Sequence, residues 1–331
     1  MSSLRVGVVG AGFIGRSHVA AYAATPGVEL VAIADPVEAK ARGLATRHGA
    51  EVVGSLPDLL DLGVDAVSIC TPTPTHLAIA LTALGAGVHV LCEKPVTLTI
   101  DEANVLVEAV DRSTAIFMVG HVSRFEPEHA RAQQLVAAGR IGDVLVSSQS
   151  ITATAPGWSE GNWLFDPSSS GGPILDLAIH SFDYLIWLHQ SAPVRVTALA
   201  VDTAAGPSTY AQITILFANG SLATVETSWA HPAAAGFSVI TEVAGSSGRI
   251  DWTYDGISPG RLVDRDGTSS SFDPLGQRGF RSEIASFVDS VRRGVPPAVD
   301  IRDARTALVV ARAALDSVRL GEPVDCTEVL G

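Results

Sequence analysis

The apolar run Leu4–Val9 ends in Gly10-Ala11-Gly12-Phe13-Ile14-Gly15, and a helical pattern opens inside that segment. No other feature restricts the fold of this chain as tightly. In a strand–turn–helix unit with G-x-G-x-x-G spacing, the first glycine permits the tight turn and the second lets backbone come close to a pyrophosphate. The third allows helix and strand to pack closely. Unpaired N–H groups at the positive end of the helix dipole then face the phosphates. Asp35 ends the next apolar run, 20 residues after Gly15, the distance at which an acid receives hydrogen bonds from the adenosine ribose in this architecture. No arginine follows Asp35 directly, so a 2′-phosphate there would meet an uncompensated like charge. The segment is expected to bind NAD rather than NADP, through Gly10, Gly12, Phe13, Ile14, Gly15 and Asp35.

The rest of the first third supports that reading. Short β-branched runs at 4–9, 28–35, 50–53, 65–70, 88–92 and 115–119 alternate with helical patterns near 13–24, 36–48, 55–62, 74–85 and 99–112, as in parallel strands with crossover helices. The rhythm changes after His121. A helix near 126–138, a strand over 143–154 and a helix near 173–189 lead into the runs VRVTALAVD, TYAQITILF, SLATVETSW, FSVITEVAG and RIDW. Turn signals rather than helices separate these runs, which predicts an antiparallel sheet. Helical patterns at 279–293 and 302–319 close the chain. The fold class expected is α/β: an amino-terminal Rossmann domain over 1–121, with a doubly wound parallel sheet, and an α+β domain over 122–331 with a large, mostly antiparallel sheet. A length of 331 residues agrees with two domains, since single cores stop growing near about 250–300 residues.

Composition narrows the function classes. A net charge of −13 without a basic patch disfavours nucleic acid and anionic lipid surfaces as partners. No apolar run reaches the roughly 18 residues of a membrane span. The opening MSSLRVGVVG lacks a basic region and cleavage site, so the cytoplasm is expected. Cys70, Cys92 and Cys326 are widely spaced and odd in number, which predicts reduced thiols and no structural metal.

Two further segments follow predicted strands. Thr71-Pro72-Thr73-Pro74-Thr75-His76 comes after VDAVSIC, and Glu93-Lys94-Pro95 after VHVLC. Ligands bind at the carboxyl ends of strands in such sheets, which makes Thr71, Pro72, Thr73, His76, Glu93 and Lys94 candidate cofactor contacts. For His76 the alternative is a helix-start residue with no binding role. With the glycine fingerprint, the segment Gly120-His121-Val122-Ser123-Arg124-Phe125-Glu126-Pro127 and the segment Gly171-Gly172-Pro173-Ile174-Leu175-Asp176-Leu177-Ala178-Ile179-His180, the chain resembles the Gfo/Idh/MocA family, the glucose–fructose oxidoreductase and inositol dehydrogenase group. The likeness covers essentially the whole chain. It implies that Lys94, Asp176 and His180 line the reacting face of the nicotinamide. It also implies a homo-oligomer, a dimer or tetramer, for which an open face of the antiparallel sheet gives a physical reason.

The chemistry of those three residues can be argued independently. A secondary alcohol gives up a hydride only as its hydroxyl proton leaves, so a base and a group that stabilises the developing oxyanion are required. His180 is a base suited to neutral pH. Asp176, four residues earlier, shares its helical face if the helix is regular, where it can orient substrate or tune the histidine. Lys94 can hydrogen-bond the reacting oxygen, and Pro95 restricts its backbone. Asn162 and Trp163, in a loop with Trp158 and Phe165, suit the hydroxyl edges and C–H faces of a sugar ring, although loop aromatics also anchor loops to cores. Arg124 either binds a substrate hydroxyl or carboxylate or pairs with a structural acid.

The expected function is an NAD-dependent dehydrogenase of a secondary alcohol in a sugar, sugar acid or inositol. Two alternatives are an NAD-assisted enzyme that oxidises transiently during glycoside cleavage or epimerisation, and a non-catalytic dinucleotide-binding regulator. The joint presence of Lys94, Asp176 and His180 argues against the regulator, which needs only the first domain and a partner surface.

Overall fold

The strands β1 (Leu4–Val9), β2 (Val28–Ala34), β3 (Glu51–Val53), β4 (Ala66–Ile69), β5 (His89–Glu93) and β6 (Phe117–Gly120) form one parallel sheet in the order β3-β2-β1-β4-β5-β6. The structure is a computed structural model that describes residues 3–157, 160–203, 206–254, 258–272 and 278–329. The helices α1 (Phe13–Ala23), α2 (Glu38–His48), α3 (Leu56–Asp61), α4 (His76–Gly85) and α5 (Ile100–Asp111) make the crossovers. Strand residues alternate between two cores. Val67, Ile69, Val90 and Val119 share one with Leu59, Ala83 and Leu106. Val6, Val8, Leu91 and Met118 share the other with Val19, Tyr22 and Ala41. Burial on both faces explains why these strands read as continuous apolar runs.

The chain forms two compact units, Met1–Phe125 with Gln277–Arg305, and Glu126–Gly276 with Thr306–Gly331. The sequence division draws its boundary at 121/122, yet the helix Gly279–Arg293 belongs to the first unit. Ile284, Phe287 and Val288 of that helix are buried in the core shared with α1. At roughly 1.5–3 kcal/mol per large apolar side chain, that burial fixes the helix to the dinucleotide unit.

The second unit contains α6 (Pro127–Ala137), β7 (Val144–Thr152), α7 (Pro167–Ser170), α8 (Gly172–Asp176) and α9 (Ile179–His189). It continues with β8 (Pro193–Thr203), β9 (Gly206–Phe217), β10 (Leu222–Ser228), β11 (Ser238–Gly245), β12 (Gly248–Tyr254), β13 (Gly260–Asp264), β14 (Ser269–Phe272) and β15 (Val324–Asp325). The sheet order is β14-β13-β12-β11-β7-β10-β9-β8-β15. Its pairings are antiparallel as expected, with the exception of β7 and β10, which run parallel and in register from Val146–Leu222 to Thr152–Ser228. Helices α6, α8 and α9 pack against its strands. The opposite face carries Leu199, Leu222 and Ile240 exposed, in alternation with buried Ala198, Ala223 and Val239.

The helix expected over 173–189 is broken. Gly171 and Gly172 both take left-handed φ, 71° and 64°, a conformation that glycine adopts without the Cβ penalty. They set α8 apart from α7. Ala178 N then donates to the carbonyl of Pro173 at 2.8 Å, and Leu177 and Ala178 lie between α8 and α9. Asp176 ends one helix and His180 stands in the first turn of the next, so the regular i, i+4 geometry assumed from the sequence does not hold.

Candidate active site

In the first unit the cradle forms where β1 and β4 part, the switch point of the sheet. Gly10 has φ 100°, and a Cβ there would come 2.6 Å from the carbonyl oxygen of Cys70 at the end of β4. A Cβ on Gly15 would collide with the carbonyl of Gly10, so strand and helix meet there without a side chain. Gly12 differs: a Cβ on it would meet open space. That glycine is the N-cap of α1, and no side chain caps the helix, which leaves its first N–H groups directed at the opening. Asp35 closes the far side, with Oδ2 accepting Ala11 N at 2.9 Å and Oδ1 accepting Val37 N at 2.8 Å. Each carboxylate oxygen retains a lone pair for a ribose hydroxyl. Phe13 is 62% exposed at the same helix start, beside Ile14. An open glycine, an uncapped helix start and a fixed acid suit a dinucleotide.

The two strand-end loops are joined by His76. Its Nδ1 lies 2.9 Å from the carbonyl of Pro95 and its Nε2 lies 2.8 Å from the carbonyl of Thr71. Burial pulls its pKa below the ordinary histidine value, with the carbonyls opposing that shift. A neutral ring carries one N–H and so donates to one carbonyl at a time. His76 is buried and acts as a brace between the Thr71–Thr75 loop and the Glu93–Pro95 loop. Thr75 Oγ1 bonds Thr71 Oγ1 and the carbonyl of Pro72, while Thr73 is buried and Pro72 exposed. Lys94 is half-buried, and its peptide bond to Pro95 is cis. Glu93 points inward: its Oε1 lies 2.9 Å from His18 Nε2, and its Oε2 accepts Lys94 N at 3.2 Å.

Arg124 makes contacts of the kind its structural reading calls for. It is buried, with Nη1 3.1 Å from Asp303 Oδ2 and 3.4 Å from the carbonyl of Ala298. Within the second unit Asp176, His180 and Trp163 are half-buried. Asn162 and Trp163 lie on the 3₁₀ turn Glu160–Phe165, and Trp158 lies outside the described residues. Sequence reasoning missed His18, Tyr22, Ser68 and Glu283, all buried in the first unit. The available signal was polar: a histidine three residues after Gly15, and a serine inside the apolar run of β4.

A parallel six-stranded sheet with this cradle at its switch point defines a dinucleotide-binding oxidoreductase of the Rossmann class. Residues 4–121 match the oxidoreductase family with NAD-binding Rossmann fold, GFO_IDH_MocA, and residues 129–251 match the GFO/IDH/MocA carboxy-terminal domain. The chain belongs to the Gfo/Idh/MocA family. It is 31% identical to an inositol 2-dehydrogenase of Rhizobium meliloti, covering 96% of this chain and 97% of that protein. It is 30% identical to the scyllo-inositol 2-dehydrogenase (NAD(+)) of Bacillus subtilis over 97% and 96% of the two chains. The crystal structure of GenD2 from gentamicin A biosynthesis in complex with NAD superposes with a TM-score of 0.86 at 27% identity, covering 98% and 97%.

Proposed function

We propose that this protein is an NAD-dependent dehydrogenase that oxidises a ring CH–OH of an inositol, sugar or sugar acid. The observation that carries the reading is the cradle at Gly12 and Asp35 in the same unit as Lys94, which follows strand β5 of the same sheet. The inositol dehydrogenases among its relatives support the substrate class. Bound NAD supplies the two-electron acceptor. Gly10, Gly12 and Gly15, with the N–H groups that open α1, hold its phosphates; Asp35 receives the ribose hydroxyls; Phe13, Ile14, Thr71, Pro72 and Thr73 border it.

The protein's own residues divide the remaining work. His180 takes the hydroxyl proton as the carbon is oxidised. Lys94 donates to the same oxygen and stabilises its developing charge. Asp176 orients the hydroxyl or the imidazole, and Asn162 and Trp163 hold the ring. His76 and Glu93 serve as braces of the cofactor loops. Because Arg124 is committed to Asp303, it is a support for this segment rather than a substrate ligand.

The test is a panel of inositols, aldoses, sugar acids and simple alcohols supplied with NAD. NADH is expected to appear in step with product from a cyclic polyol or sugar. Cleavage of a glycoside with no net NADH, or turnover of ethanol-like alcohols alone, would replace this reading. The cytoplasm is the expected location, and self-association through the open sheet face is the expected assembly.

A further inference from the structure

Beneath the Lys94 loop lies a buried polar chain that ends on Glu93, and its other members have no part in the proposed chemistry. The Tyr22 hydroxyl is 2.8 Å from Ser68 Oγ, which is 3.0 Å from His18 Nδ1. His18 Nε2 is 2.9 Å from Glu93 Oε1, and Glu93 Oε2 accepts the backbone N–H of Lys94 at 3.2 Å. His18 and Tyr22 are fully buried, as is Glu283, whose Oε2 lies 4.0 Å from His18 Nε2. A carboxylate can only accept, so His18 Nε2–H donates to Glu93, and in a ring that carries one N–H the Nδ1 accepts from Ser68 O–H. Ser68 in turn accepts from Tyr22 O–H. Every donor along the chain then has an acceptor.

From this we infer that His18 and Glu93 are positioning residues for Lys94: the histidine, on the helix that opens at the dinucleotide cradle, holds the Glu93 carboxylate where it grips the Lys94 backbone. The inference rests on the proposed role of Lys94. Buried hydrogen bonds to a charged acceptor tighten one geometry over others. The direction of an active-site lysine is a quantity on which turnover depends steeply. Gly120 belongs to the same arrangement. A Cβ there would stand 2.8 Å from Glu93 Oε1, so the end of β6 leaves room for the carboxylate in the position that His18 requires.

Two substitutions disturb the grip differently. Glu93→Gln offers one acceptor in place of two, so one of His18 Nε2–H and Lys94 N–H faces an amide N–H₂. Both could be served only if the whole chain reversed, which strands the hydroxyl hydrogen of Tyr22, whose one partner among the described residues is Ser68. Gly120→Ala keeps both partners and pushes the carboxylate away. Each is expected to lower kcat tenfold or more, while the Kd for NAD moves less than about threefold.

The closing experiment is a double-mutant cycle with Lys94→Ala, accompanied by amide hydrogen exchange of the peptide 92–97 in the cofactor-free protein. Residues that act through Lys94 lose their effect once its side chain is gone, so Glu93→Gln in the Lys94→Ala background should change residual turnover less than about twofold. Exchange of the peptide should accelerate in both the Glu93 and Gly120 variants, with the thermal midpoint recorded beside it. Equal losses in both backgrounds, or full kcat with unchanged exchange, would overturn the inference. Should Lys94→Ala itself retain full turnover, the role of Lys94 fails, and the exchange data still decide whether Glu93 holds its backbone.

Discussion

Asp35 Oδ2 accepts the backbone N–H of Ala11 at 2.9 Å, so the acid at the end of β2 is fixed to the middle of the glycine loop. The carboxylate proposed to discriminate against a 2′-phosphate therefore also shapes the turn of the glycine loop. Asp35→Ala is expected to weaken NAD by roughly 10- to 100-fold, the effect of about 1.5–3 kcal/mol for hydrogen bonds to a charged group, and to narrow the preference over NADP. Because the loop loses its anchor, NADP should not gain fully what NAD loses. Titration of both cofactors by fluorescence measures each term, and equal efficiency with NAD and NADP in the unaltered protein would contradict the assignment.

Lys94→Ala and His180→Ala should each reduce kcat by roughly a hundredfold or more, the range for loss of a positioned acid–base or electrostatic group. The Kd for NAD should change little, since neither side chain forms the cradle at Gly12. The counterpart is Arg124→Ala, which breaks the contact with Asp303 and should lower the thermal midpoint more than it raises KM for the polyol. Steady-state kinetics beside thermal unfolding separate the two kinds of loss. A KM effect without a stability effect would return Arg124 to the substrate site.

Acid sensitivity should draw on the second unit as well as on His76 and His89 of the first, whose imidazoles burial also lowers. Burial pushes the imidazole of His129 down to about 3 and that of His189 down to about 4. An unfolded chain has histidines near about 6.5. Above that value both states are neutral and the two groups contribute nothing to the pH dependence. As pH falls from about 6.5 toward the folded values, the unfolded state takes up protons that the folded state refuses, and stability declines by on the order of 1 kcal/mol per pH unit for each histidine. Nδ1 of His129 has no hydrogen-bond partner among the described residues, and its ring meets Tyr184 edge-on at 4.5 Å. His129→Phe should therefore flatten the slope of urea midpoint against pH between about 6.5 and 5 without loss at neutral pH. An unchanged slope would remove His129 from the account.

The legible part of this protein is local. Gly10, Gly12, Gly15 and Asp35 announce a cradle because the turn, the approach and the acid all lie within one strand–helix–strand unit. Contacts between distant residues left no such trace. His18 and Glu93 are 75 residues apart and Arg124 and Asp303 are 179 apart, and nothing in either neighbourhood names the other. The helix Gly279–Arg293 is amphipathic, and an apolar stripe states that a helix will pack without stating on what. Asp176 and His180 mark the other limit. Their apolar surroundings, Leu175, Leu177 and Ile179, sustain a helical pattern through a break that the Pro173 carbonyl makes by accepting from Ala178.

The open face of the nine-stranded sheet carries the last expectation, assembly. Leu199 and Val201 on β8 are 71% and 57% exposed. The face continues through Leu222 on β10, which pairs with Val146 on β7, to Ile240 on β11. Thr214 and Thr224, which pair across β9 and β10 on that face, add small polar groups, and the row that joins Leu199 to Ile240 runs through Gln212, half-buried Glu226 and Ser150. At the far end Arg249 contacts Glu242 and Asp251, and Arg261 contacts Asp251, so that margin carries paired charges. Exposed aliphatic side chains interleaved with polar ones suit a surface covered by a partner, and a sheet face of one chain meets its own copy through a two-fold axis most simply. Sedimentation at micromolar concentration should show a dimer or tetramer. Leu199→Glu with Val201→Glu would place two carboxylates from each copy in a desolvated interface, and should yield a smaller species with its secondary structure retained by circular dichroism. A monomer in the unaltered protein, or an assembly indifferent to the double substitution, would show that this face is not where copies meet.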